Sequence, residues 1–342
     1  MIEFLQLPES QRRQIIEQVN ARTAMSLKAV EKDWWVTLVL KALFSLPMRQ
    51  HFIFKGGTSL SKAWKLIQRF SEDIDIALAP EAFGRDYRKT PSNSYVKTLK
   101  KEGCAYTTNN IKDALQEQLA AMGVPAGLIT IDAEDVNPIM PDKDPQTLFV
   151  RYPSLYDPNL YIAEAVKVEF GVRSLKEPFA DVPIQSIITE VFPNPSYSET
   201  PFLVTAVEPR KTFMEKLFLL HEKFSIVRED VVVQERQSRH LSDLGSMARM
   251  GIAQQVFDDQ DLYAILLEHR RHYVRLKNVD YEEMHMAGLR IIPPPAMMGQ
   301  FRQDYETMLT EMIYGDAPDF DTLINQIRDL NGLLIYHGQK EK

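Results

Sequence analysis

The residues best suited to chemistry lie between Lys55 and Ile76. Lys55-Gly56-Gly57-Thr58-Ser59-Leu60-Ser61-Lys62 sets two glycines between a short apolar run, residues 51–54, and a segment of helical spacing. Glycine lets backbone approach a ligand closely, and the N–H groups that open a helix face an anion. Thr58 and Ser59 add hydroxyl donors at the same helix start. Further on, Arg69-Phe70-Ser71-Glu72-Asp73-Ile74-Asp75-Ile76 places Asp73 and Asp75 two apart in an alternating segment, residues 71–78. Alternate side chains of a strand leave the same face, so the two carboxylates stand side by side, opposite Ile74, Ile76 and Leu78. Such a pair repels unless a cation lies between its members, and Mg²⁺ shared with substrate phosphates suits that arrangement. A phosphate cradle followed by an Asp-x-Asp pair is what metal-assisted nucleotidyl transfer requires. Either element alone is commonplace, a turn or a solvated strand edge. Their order and spacing carry the reading.

The elements that must position these groups follow from periodicity. Residues 9–46 carry helical spacing, with Val30, Trp34, Leu38 and Leu43 among the apolar positions. Residues 51–54 read as a strand, and Thr58 or Ser59 as the cap of a helix running through Ala63, Trp64 and Ile67. Residues 97–122 read as a helix, and residues 147–152, 165–172 and 202–207 as strands with proline-rich connections. From Pro209 the pattern turns helical: Phe213, Leu217, Leu220 and Phe224 form one apolar stripe. Residues 241–250 and 261–276 continue it, Ile291-Ile292-Pro293-Pro294-Pro295 breaks it, and two more helices follow. The expectation is an α+β portion over residues 1–208 and a helical portion over residues 209–342.

Composition bounds the function. The chain has 342 residues, 47 acidic against 40 basic, and a net charge of −7. That balance argues against non-specific nucleic-acid binding over the whole surface, leaving only local basic patches for RNA or DNA. One cysteine, Cys104, excludes an internal disulfide framework and fits a reducing compartment. No apolar run reaches the ~18 residues of a membrane span, and the first residues lack a basic-then-apolar signal region. The expectation is a soluble, cytoplasmic protein. No Ser-His-Asp or Cys-His arrangement is legible, and no spacing suggests zinc.

The two front motifs resemble those of the AbiEii/AbiGii-type nucleotidyltransferases, toxin components of bacterial abortive-infection and type IV toxin–antitoxin systems. Glu31-Lys-Asp-Trp-Trp35 is similar to the segment that precedes the core in that family, and Val166-Lys-Val-Glu-Phe170 to its later acidic strand. Phe213-Met-Glu-Lys-Leu217 and Arg239-His-Leu-Ser-Asp-Leu244 are similar to its two helical motifs. The resemblance implies a polymerase-β-like nucleotidyltransferase core, a mixed sheet flanked by helices, with a C-terminal helical domain contributing to the active site.

It also implies roles. Asp73 and Asp75 would hold the catalytic Mg²⁺. Glu169 is the candidate third metal ligand, or else part of an exposed Lys–Glu strand face. Lys55, Gly56, Gly57, Thr58, Ser59, Lys62 and Arg69 would form the nucleotide site, although Lys55, Lys62 and Arg69 serve equally as partners of carboxylates. Lys216 and Asp243 would complete the catalytic set. The family's first helical aspartate is replaced here by His240, which reads as a structural histidine. The substrate would be a nucleoside triphosphate and the acceptor an RNA, by resemblance a tRNA 3′ end, with an antitoxin encoded nearby. Two basic clusters suit RNA: Arg85-Asp-Tyr-Arg-Lys89 with Lys97, Lys100 and Lys101, and His269-Arg-Arg-His-Tyr-Val-Arg-Leu-Lys277. A charge run is also a common solvated face. A small-molecule or protein hydroxyl as acceptor, and a non-catalytic nucleotide-binding protein, remain the alternatives.

Overall fold

The computed structural model describes residues 1–137, 139, 142–157, 162–225, 236–282 and 284–340. They form two compact units, Met1–Lys65 with Arg69–Val207, and Leu66–Gln68 with Glu208–Lys342.

The first unit begins with α1 (Glu3–Gln6), α2 (Glu9–Thr23) and α3 (Leu27–Leu43). The single helical stretch expected over residues 9–46 is broken at Ala24, which adopts a left-handed φ of 59° and ends α2. Ser26 then caps α3, its hydroxyl accepting from the Ala29 N–H. Every residue of α3 except Leu27 and Lys41 is buried, the burial of a core helix rather than a surface one. Trp34 packs edge-on against Trp35, and Trp35 stacks on Tyr152 with ring centroids 4.7 Å apart.

Seven strands form one mixed sheet: β1 (Phe52–Lys55), β2 (Ile74–Leu78), β3 (Thr130–Ala133), β4 (Gln146–Arg151), β5 (Ala165–Gly171), β6 (Phe179–Ile184) and β7 (Phe202–Val207). Their order is β3-β4-β5-β2-β1-β7-β6. The motif-bearing strands β1 and β2 are central neighbours, antiparallel to each other, with β5 parallel to β2 on one side and β7 parallel to β1 on the other. Between β1 and β2 the chain forms α4 (Gly56–Lys62). This helix stops short of the expected extension through Ile67, and Lys65 takes a φ of 53°. The expected helix over residues 97–122 is α5 (Asn93–Tyr106) and α6 (Lys112–Ala121), joined by one π-helical turn, Thr107–Ile111. A short α7 (Ile187–Val191) is capped by Ser186.

The second unit is helical, with no strand among its described residues: α8 (Pro209–Ser225), α9 (Arg239–Arg249), α10 (Ile252–Phe257), α11 (Gln260–Tyr273), α12 (Pro295–Glu311) and α13 (Phe320–Gln339). The stripe Phe213, Leu217, Leu220 and Phe224 of α8 is buried throughout. Residues 66–68 belong to this unit, where the Gln68 carbonyl accepts from the Tyr314 N–H. No helix among the described residues is long and apolar enough to cross a membrane.

Candidate active site

Strand register gathers the front motifs onto one face of the sheet. Lys55 of β1 pairs with Asp75 of β2, Asp75 with Glu169 of β5, and Glu169 with Thr147 of β4. Residues paired across neighbouring strands point the same way, so Lys55, Asp75 and Glu169 share a face, and Asp73 joins them two residues before Asp75. Burial alternates accordingly: Glu72, Ile74 and Ile76 are buried, whereas Asp73, Asp75 and Glu169 are half-exposed.

Both glycines are there for close approach. Gly56 has a φ of 76°, and a Cβ on it would collide with the Asp75 carboxylate. A Cβ on Gly57 would collide with the Arg69 guanidinium and with Ser71 Oγ. The Gly-Gly turn therefore packs directly against Asp75 and Arg69; at Gly56 the left-handed φ adds strain to any side chain, and at Gly57 the Arg69 guanidinium would have to move. The other residues expected to meet phosphates are instead engaged within the protein. Thr58 and Ser59 are fully buried. The Thr58 hydroxyl bonds to the Asp73 carbonyl and to Ser71 Oγ, and Ser59 Oγ donates to the Gly56 carbonyl at 3.0 Å. Neither caps α4, whose first residue follows Lys55 without a side-chain cap. Lys62 Nζ lies 2.6 Å from Asp33 Oδ1 in a buried ion pair. Arg69 is buried and donates to its neighbouring Phe70 carbonyl. Lys55 Nζ donates to Ser174 Oγ at 2.7 Å.

The electrostatics of the face centre on Lys167, two residues before Glu169 on β5. Its ammonium lies 2.9 Å from Glu169 Oε1. Burial opposes its charge but is outweighed by the Glu169 hydrogen bond and by the fields of Glu169, Asp73 and Asp75, so its pKa stands above the usual lysine value. Among the described residues no group of three or more His, Cys, Asp or Glu side chains is gathered closely enough to hold a metal ion. The expected trio of Asp73, Asp75 and Glu169 shares one face, with Glu169 ion-paired to Lys167. What the face offers is two adjacent carboxylates whose joint field holds a cation's charge. That donor set fits Mg²⁺, which needs only one or two carboxylates when water and phosphate complete its shell.

In the second unit, Lys216 of α8 lies 2.9 Å from Asp243 Oδ2 of α9, with Asp243 wholly buried. His240 Nδ1 is 3.5 Å from the same ammonium. The histidine that replaces the family's aspartate therefore adjoins Lys216 while Asp243 supplies the negative charge.

Several members of the two basic clusters are paired within the protein. Arg270 forms a two-pronged ion pair with Glu222, its Nε and Nη2 each 2.5 Å from a carboxylate oxygen. Arg271 pairs with Glu268 and Glu282, and His272 with Glu268. His269 stacks on Tyr273, and both rings are buried. Arg270, Arg271 and His272 are thus engaged with carboxylates, whereas Arg275 and Lys277 are exposed. In the other cluster Arg85 pairs with Glu102 and Lys100 with Asp142, while Arg88 lies 3.9 Å above the Tyr95 ring. Lys89, Lys97 and Lys101 remain exposed. Cys104 is buried, and burial raises its thiol pKa, the reverse of an activated nucleophile.

Sequence reasoning gave no separate role to Lys32 or Glu72. The available signal was a charged residue set among apolar ones: Lys32 just ahead of Trp34-Trp35-Val36, and Glu72 in phase with Ile74 and Ile76.

A glycine-seated Asp-x-Asp pair therefore lies on a central face of the sheet. The family model described as nucleotidyl transferase AbiEii toxin, type IV TA system, matches residues 38–326, and the chain belongs to that family. The protein is accordingly a nucleotidyltransferase of a type IV toxin–antitoxin system, which implies a nucleoside triphosphate substrate and an antitoxin partner. No curated protein and no solved structure matches it.

Proposed function

We propose that the protein transfers a nucleoside monophosphate from a nucleoside triphosphate to a hydroxyl of an RNA, with tRNA the favoured acceptor, and releases pyrophosphate. The observation that carries this reading is the shared face of Asp73 and Asp75, with Asp75 seated on Gly56 and the cation of Lys167 drawn to both.

Asp73 and Asp75 would hold Mg²⁺. When bound, that ion supplies neutralisation of the charge between the carboxylates and the phosphates. Lys55 lies on the same face, where its ammonium faces an incoming triphosphate. An acceptor hydroxyl attacks the α-phosphorus in line as the bond to the leaving pyrophosphate breaks. Its proton passes to a carboxylate of the Asp pair. The glycines keep Asp75 fixed during this exchange, so little reorganisation accompanies charge movement. The Lys216–Asp243 pair enters this reading through the family motif alone.

RNA as acceptor draws support from Lys89, Lys97 and Lys101, exposed cations on one unit of a chain whose net charge is negative. A second reading moves the same chemistry to a protein or small-molecule hydroxyl, and the pairing of Arg270, Arg271 and His272 with carboxylates favours it. Incubation with total tRNA, Mg²⁺ and each α-³²P-labelled triphosphate in turn separates the two. Label in tRNA, with binding whose salt dependence weakens by about one phosphate contact in Lys97→Glu, supports RNA. Label on protein or a small molecule supports the second reading.

A further inference from the structure

Three consecutive charged residues, Glu31, Lys32 and Asp33, lie buried in α3. Successive helix positions differ by about 100°, so the three side chains leave the helix in different directions and reach different parts of the first unit. Glu31 accepts from Ser154 Oγ at 2.6 Å and from the Leu155 N–H at 2.8 Å. Lys32 Nζ donates to Glu72 Oε2 at 2.6 Å and to the Ala163 carbonyl at 2.9 Å. Asp33 accepts from Lys62 Nζ at 2.6 Å and from the Ile187 N–H at 2.7 Å. Two of these partners flank the active face. Glu72 immediately precedes Asp73, and Lys62 is the last residue of α4, the helix that the Gly-Gly turn opens.

Burying charges is costly unless each is paired and hydrogen-bonded, and a buried ion pair is commonly no more stabilising than apolar side chains of the same volume. A core helix carrying two such pairs at adjacent positions gains little stability from them. What it gains is direction, because a short charged hydrogen bond fixes its partner's backbone closely.

We propose that Lys32 and Asp33 are positioning residues for the nucleotidyl-transfer site. Lys32, through Glu72, sets the height and tilt at which Asp73 enters β2. Asp33, through Lys62, sets α4 and with it the Gly56 contact that seats Asp75. The two anchors hold the two ends of the connection from α4 to β2, one at Lys62 and the other at Glu72. Supporting groups behind metal-binding carboxylates act in this way generally, and their removal typically costs about 10- to 100-fold in metal affinity or activity. The proposal rests on Asp73 and Asp75 being the metal-binding pair.

The test compares the full-length protein with Lys32→Met/Glu72→Met, which removes both charges together and leaves neither buried alone. Thermal unfolding, Mn²⁺ binding followed by electron paramagnetic resonance, and the Mg²⁺ concentration for half-maximal transfer are measured on each. The expected result is a melting temperature close to that of the unaltered protein, with Mn²⁺ affinity at least about tenfold weaker and half-maximal Mg²⁺ raised to match. Glu72→Gln, which preserves shape, is expected to show a smaller shift in the same direction, and it serves as the test if the double variant does not fold. Unaltered Mn²⁺ affinity in a folded double variant, or in Glu72→Gln, overturns the positioning role. Asp75→Asn separates the two layers. Loss of Mn²⁺ binding there with wild-type affinity in the double variant removes only the positioning role. Retained binding in Asp75→Asn, or none in the unaltered protein, removes the metal assignment and this proposal with it.

Discussion

The face of the sheet around Asp75 and the region around α11 both hold dense charge, but they use it in opposite ways. On the sheet, the Lys167 ammonium pairs with Glu169 and lies in the field of Asp73 and Asp75, and all three carboxylates stay half-exposed. On α11, Arg270 meets Glu222, while Arg271 and His272 meet Glu268. The first arrangement keeps three carboxylates half-exposed on one face of the sheet. The second cancels its field within a few ångströms. A count of charged residues gives the two regions the same appearance, and only the distribution of partners separates a site from scaffolding.

Several substitutions would break or sharpen that contrast. Asp73→Asn or Asp75→Asn should cut transfer by about a thousandfold, on the order of 4 kcal/mol of transition-state stabilisation, with little change in the unfolding midpoint. Arg270→Met should do the reverse. Glu222 would be left buried, keeping the Tyr281 hydroxyl among the described residues, at a cost of about 3–5 kcal/mol of stability read from urea denaturation. A stable Arg270→Met protein that had lost RNA binding would return α11 to the functional column.

Lys167→Met should sharpen the acidic face. Without the competing ammonium, half-maximal Mg²⁺ should fall by up to about fivefold, the ~1 kcal/mol of a partly exposed ion pair. A rise instead would make Lys167 a phosphate-binding group.

The smallest effect concerns His221. Burial and the nearby Arg290 charge hold its pKa below the ordinary 6.5, and its Nδ1 accepts from the Arg290 N–H. The folded protein therefore binds this proton less readily than the unfolded chain. The His221 contribution is present above pH 6.5 and is lost as pH falls toward the depressed value. His221→Gln should flatten the decline in melting temperature through that window.

The acidic face was legible because strand alternation is local: two carboxylates two residues apart in a run of Ile, Ile and Leu point one way whatever surrounds them. The strands at residues 147–152, 165–172 and 202–207 were legible on the same ground. β6 was not, since Pro183 interrupts it, a residue that only an edge strand tolerates. Nor was the π-helical turn inside residues 97–122, where nothing in Thr107–Ile111 breaks the helical pattern. The fate of Arg270 depended on Glu222, a partner 48 residues away, and no local pattern announces such a pair. Thr58 and Ser59 were read as facing a ligand because their types suit one, yet tertiary packing buries both, and Lys62 takes the carboxylate-partner alternative by pairing with Asp33. Sequence spacing determines which way a side chain leaves its element. Whether it meets solvent, substrate or another side chain is settled by elements far along the chain.

The central claim is that the Asp73–Asp75 face performs the transfer. Its most direct test is the single-turnover rate at which the full-length protein moves α-³²P label from a nucleoside triphosphate to tRNA at saturating Mg²⁺, measured beside Asp75→Asn of matched thermal stability. The account predicts label transfer by the unaltered protein and a loss of about a thousandfold in the variant. Transfer by Asp75→Asn within about tenfold of the unaltered rate would contradict it.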